Sequence, residues 1–203
     1  MKQTGLLTLV LVAALGVGCN RSTNADRNAN PNGTPGATAT SGVSSSDSNF
    51  VRDVTELNNT EISLSRDAAD RSTNPDVKKF AQMVISDHTS AGDKLSSVVA
   101  SNNIPAAPAN SDKPEKKRED LDKKQGADFD RAYIDAMIDG HDKLISKLES
   151  RVDKQGGGDN PTVVPEKSDN AVTQSINQWA ADTYTAAKAH RDQAKTLKDA
   201  LKK

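Results

Sequence analysis

Residues 77–98, VKKFAQMVISDHTSAGDKLSSV, decide the fold: Val77, Ala81, Val84, His88, Ala91, Leu95 and Val98 recur in alternating steps of four and three, with His88 the one polar member. That spacing puts the whole series on one side of an α-helix and leaves Lys78, Lys79, Gln82 and Lys94 for the other. Working outward, the same rhythm returns in three more stretches. Phe50, Val54, Leu57, Glu61, Leu64 and Ala68 form one stripe, and Ile134, Met137, His141, Leu144, Leu148 and Val152 a second. Ile176, Trp179, Thr183, Ala187, His190, Ala194, Leu197 and Leu201 form the last. These stripes predict helices over about 50–71, 76–100, 128–154 and 168–201.

The breaks agree with this division. Asn74-Pro75-Asp76 stops one helix and caps the next, while Pro105, Pro108 and Pro114 mark a long connection. Glu115 to Lys124 reads as a short polar helix within it. Gly156-Gly157-Gly158, Pro161 and Pro165 end the third long helix, and Ser168 is the expected N-cap of the fourth. Thr162-Val163-Val164 is the one strand-like run, and it is too short to be taken as a strand. The expected class is all-α: four antiparallel helices over residues 49–203, with two long connections.

Composition supports a thin bundle. Of 203 residues, 34% are hydrophobic and 3% aromatic, too few large side chains for a sandwich or doubly wound core. Net charge is −1, without the basic excess that a nucleic-acid binder needs to displace counterions from phosphates. The single cysteine, Cys19, excludes an internal disulfide and a multi-cysteine zinc site.

That cysteine closes an N-terminal segment with the layout of a secretory signal. Lys2 supplies positive charge, Leu6 to Leu15 an apolar run too short to span a bilayer, and Gly16-Val17-Gly18 the small residues. A cysteine directly after such a segment resembles the lipobox of bacterial lipoproteins, although Gly16 stands where that motif usually has Leu. The resemblance implies lipidation of Cys19, anchorage to a membrane, and sorting by Asn20 to the outer membrane or another envelope surface. Residues 20–48 are almost wholly Asn, Ser, Thr, Gly, Ala and Pro, and are expected to form a disordered tether reaching roughly 30 Å.

The useful anomaly lies on the stripes themselves. Glu61, His88, His141 and His190, which include all 3 histidines of the chain, sit on faces expected to turn inward. Each lies near the middle of its helix, so at about 1.5 Å rise per residue the four fall into one layer. One inward polar group per helix at the midplane is how bundles build metal sites. Three imidazoles and a carboxylate match a single divalent transition ion, with zinc or copper favoured. Met137, Met83 and Asp87 are candidates for soft or outer-sphere contacts. The competing reading is a hydrogen-bonded His/Glu layer with no metal, in a structural or interaction module.

Several of these segments also resemble one family. Asn59-Thr60-Glu61-Ile62-Ser63-Leu64, Val77 to Val84 followed by Asp87-His88-Thr89, Asp128-Phe129-Asp130-Arg131-Ala132-Tyr133, and Ala189-His190 are similar to the bacterial family labelled "predicted outer membrane protein", a domain of unknown function. The resemblance covers about residues 49–201 and implies a ferritin-like bundle, export and a lipoprotein signal, with no activity. A di-iron site of the ferritin kind is not expected, because Glu-x-x-His is absent: Ile85, Ile138 and Ala187 stand three residues before the histidines. No nucleophile elbow, phosphate loop or dinucleotide fingerprint occurs, so no enzyme is expected, with a metal-dependent hydrolase the minor alternative.

Overall fold

The computed structural model describes residues 42–105, 113–156 and 162–202. They form α1 (Ser45–Arg71), α2 (Pro75–Ser101), α3 (Lys113–Asp122), α4 (Gly126–Glu149), β1 (Val152–Gln155), β2 (Thr162–Pro165) and α5 (Ala171–Ala200). The chain is mostly α, as the stripes predict. The signal segment, Cys19 and the first part of the expected tether lie outside the described residues. No helix among those described is long and apolar enough to cross a membrane.

The helix starts have local causes. Asn74 Oδ1 accepts from the amides of Asp76 and Val77, and Pro75 opens α2 where its missing N–H costs nothing. Asn170 caps α5 in the same way, through the amides of Val172 and Thr173. Ser168, the expected cap, instead holds the amide of Asn170 one step earlier.

Two boundaries need larger corrections. The tether was expected to run to Ser48, yet α1 begins at Ser45, with Ser44 Oγ accepting from the amide of Asp47. A polar stretch is helical here because Asp47 is buried against α5 and against Arg151 from beyond α4. At the other end, α4 stops at Glu149 instead of continuing to Lys154. Residues 152–155 turn into β1 and pair antiparallel with β2, Val152 opposite Pro165 and Gln155 opposite Thr162. The run Thr162-Val163-Val164 is therefore strand after all, stabilised by a partner that a single short run does not reveal.

Helices α1 and α2 form one hairpin and α4 and α5 another; α1 also packs on α4, and α2 on α5. The chain passes from the end of α2 to the far end of the bundle before α4 begins, so α1 and α5 run one way and α2 and α4 the other. Every neighbouring pair is antiparallel, and one long crossover, containing α3, joins the hairpins. This is the connectivity of ferritin-like bundles. Two apolar clusters fill the interior. One gathers Phe50, Val54, Leu95, Leu144, Leu148, Ile176 and Trp179, and the other Leu64, Val77, Phe80, Tyr133, Ile134 and Met137. Between them lies a polar layer.

Candidate metal centre

The polar layer consists of Glu61 from α1, His88 from α2, His141 from α4 and His190 from α5, all buried. The 3-and-4 stripes bring them there: each replaces an apolar residue at one level of its stripe, and the helices align those levels. The imidazole centroids lie 5.2 Å (His88–His141), 5.5 Å (His141–His190) and 5.7 Å (His88–His190) apart. One ring nitrogen from each histidine falls within 4.8 Å of those of the others. Tetrahedral zinc with bonds of about 2.0–2.1 Å would draw its nitrogens to roughly 3.4 Å apart, a modest contraction.

The hydrogen bonds say which nitrogens are free. His141 Nδ1 lies 2.9 Å from the carbonyl of Met137, and a carbonyl only accepts, so Nδ1 carries the proton. Nε2 of the same ring is then a bare lone pair, buried and without a partner. His190 is turned the other way: Nε2 lies 3.0 Å from Asp87 Oδ2, and Nδ1 is buried and unpartnered. In His88, Nε2 faces Glu61 Oε2 at 3.4 Å, and Nδ1 is again the buried orphan. His141 and His190 are thus each held on one side by an acceptor and left bare on the other, as in histidines positioned for a metal by an outer carbonyl or carboxylate.

Glu61 stands apart from that convergence. Its Oε2 approaches His141 Nδ1 at 3.3 Å, the nitrogen that already faces the Met137 carbonyl, as well as His88 Nε2 at 3.4 Å. The alignment is too poor for hydrogen bonds, and both carboxylate oxygens remain unpartnered. Oε1 lies against Gly140, where a Cβ would overlap it and stand 3.1 Å from Cδ. Gly140 makes room for the carboxylate. In the sequence it is a glycine one residue before His141, with nothing to mark that role.

Burial governs the protonation of the layer. Loss of solvent pushes Glu61 up to about 8. The same desolvation, reinforced by the neighbouring imidazoles, pushes His88 down to about 3. His141 falls to about 4, again mainly through burial, with the Met137 carbonyl opposing. Neutral imidazole is the ligand form, so no charge has to be removed from these two rings before a cation enters.

The remaining candidates fall in different places. Asp87 is partly exposed and orients His190. Met137 contributes its carbonyl to His141, while its sulfur takes the Ser65 hydroxyl at 3.7 Å. Met83 is only partly buried, against the second apolar cluster. Sequence reading also missed Ser65, whose Oγ lies 2.8 Å from the Tyr133 hydroxyl and links that ring to Met137. Among the described residues, the three histidines are the one grouping of His, Cys, Asp or Glu close enough to hold an ion.

Fold and layer together define a class, the helical bundle with a histidine-rich midplane. The chain belongs to the family described as Domain of unknown function (DUF4142), whose model matches residues 32–197. No curated protein matches the chain, and no solved structure does.

Proposed function

We propose that this protein binds one transition-metal ion at His88, His141 and His190, and does so as an envelope protein anchored through a lipidated Cys19. The observation that carries the reading is the set of three bare imidazole nitrogens, each buried, without a partner, and supplied by a different helix. Leaving such an atom unsatisfied costs about 1–3 kcal/mol, and three together are costly unless a ligand takes them up. Imidazole suits zinc and copper, and a set of three imidazoles favours Zn(II) or Cu(II). One ion per chain is a poor store, so sensing or protection of the envelope fits the site better than storage.

The metal-free alternative requires a layer that satisfies itself. The contacts of 3.3 and 3.4 Å between Glu61 and two rings favour that reading, yet both oxygens of Glu61 lack a hydrogen bond. Elemental analysis of the untagged protein, purified without chelator, separates the two. Near-stoichiometric zinc or copper that disappears in His141→Ala is the expected result. Protein that stays metal-free after incubation with each ion would overturn it.

A further inference from the structure

We propose that the ion held by His88, His141 and His190 keeps one coordination position open, and that a small monodentate ligand of one to three non-hydrogen atoms binds there in the cavity beside Trp179. The inference rests on the metal reading above and extends it from holding an ion to exposing it. Three imidazoles leave at least one position of a tetrahedral ion unfilled, and an unfilled position is what separates reactive sites from structural ones. The obvious protein donor is Glu61, but its Oε2 lies against His88 Nε2 and His141 Nδ1, not the unpartnered nitrogens of those rings, and its Oε1 is lodged over Gly140.

Space exists on the other side. A cavity of about 40 Å³ borders His88 and His190 and is walled by Val54, Ala91, Leu144 and Trp179. Both of those histidines are at least nine-tenths buried, and each keeps an unpartnered Nδ1. A water needs about 10–15 Å³, so the volume takes a ligand of one to three atoms and excludes anything larger.

The walls offer such a ligand little. Trp179 Nε1 donates to the Ala91 carbonyl at 3.0 Å, and Thr183 Oγ1 donates to the Trp179 carbonyl at 2.8 Å, so both donors are engaged. Asn58 and Asp87 also border the space, Asp87 with its Oδ2 on His190 Nε2, and the remaining walls are apolar side chains. A small ligand in this space is held chiefly by the ion, with Asn58 the one wall amide beside it, and its size is set by the cavity.

The test uses the untagged full chain loaded with Co(II), whose visible bands report coordination number, and azide as the probe. One cobalt per chain is expected, with bands that shift on adding azide and saturate at one azide per cobalt. Ala187→Leu fills the cavity from α5 without removing a histidine. It should keep the cobalt and weaken the azide response by about tenfold or more. Ala91→Val makes the same test with a smaller intrusion, should the first variant fold poorly. Bound cobalt whose spectrum ignores azide would overturn the open position while leaving the metal reading intact. An azide response unchanged in both cavity variants would overturn the placement. Failure to bind cobalt, zinc or copper at all would remove both.

Discussion

Two buried polar groupings lie in this bundle, and they are built on opposite principles. At one end, Asp47 is 1% exposed and fully partnered: Arg151 Nη1 donates at 2.6 Å, Ser44 Oγ at 2.7 Å and Thr173 Oγ1 at 2.8 Å. Arg151 also lies over the Phe50 ring at 4.7 Å. Burial opposes the charge on Asp47, but these donors hold its carboxyl below the ordinary value. At the midplane, Glu61 and the three histidines are equally buried, and every one of them keeps an atom without a hydrogen bond. The first grouping is finished by the chain itself and fastens α1 to the turn between α4 and β1 and to α5. The second is left incomplete by the chain, and the proposed metal reading rests on that difference.

The comparison breaks most sharply at Arg151. Arg151→Met strands a buried carboxylate and should cost about 3–5 kcal/mol in urea unfolding, whether or not metal is present, because the loss belongs to the fold. The midplane should behave in the reverse manner. Metal at a hundredfold excess over its dissociation constant should stabilise the wild-type protein by about 2.7 kcal/mol, and His141→Ala should lose that gain entirely. A metal-dependent shift that survives His141→Ala would mean that the ion sits elsewhere.

Gly140 sharpens the contrast within the layer. Gly140→Ala drives a Cβ into the Glu61 carboxylate and should destabilise by about 1–3 kcal/mol, most of it recovered when Glu61→Ala is added. Additive losses in that double-mutant cycle would show that the two residues do not compete for the same space.

The smallest effect is the pH dependence of the metal-free protein, where the signs oppose. His88 and His141 drop from an ordinary 6.5 to about 3 and about 4, so their contribution is complete above 6.5 and lost as pH falls through the window below it. Glu61 rises from 4.5 to about 8, so its contribution is complete below 4.5 and lost as pH climbs toward 8. Between 4.5 and 6.5 the unfolded chain binds one more proton than the folded one, and between 6.5 and 8 one fewer. Thermal unfolding should therefore show a maximum near 6.5, falling by about 1.4 kcal/mol per pH unit on each side. Asp47, held below its ordinary 3.8, adds nothing in that range. A flat profile from 5 to 8 would mean that the midplane is hydrated or already paired.

What could be read in the sequence follows the same division. Glu61, His88, His141 and His190 were legible because helical spacing is a local property, and each interrupts an otherwise apolar series at mid-helix. Their common level followed from element lengths alone. Asp47 was not legible. It sits in a Ser-rich run with the composition of a tether, and the arginine that makes it helical is 104 residues away. The β1–β2 pairing was hidden for the same reason, since neither strand is convincing without the other. Met137 was singled out correctly as a neighbour of His141 but for its sulfur, when it is the main-chain carbonyl one turn back that fixes the ring. Side-chain chemistry suggests the sulfur; only backbone geometry gives the carbonyl.

The two hairpins carry one further implication. α1 and α2 contribute Glu61 and His88, whereas α4 and α5 contribute His141 and His190, so neither hairpin alone holds the three-histidine set. Docking of the hairpins across the long crossover is what creates the site. Under the proposed metal reading an ion would be captured late, after the chain has its shape, and would add a clasp to the side-chain bonds that already join the two halves, Ser65 to Tyr133 and Trp179 to the Ala91 carbonyl among them. On that reading, the metal supply that matters is the one in the compartment where the docking happens.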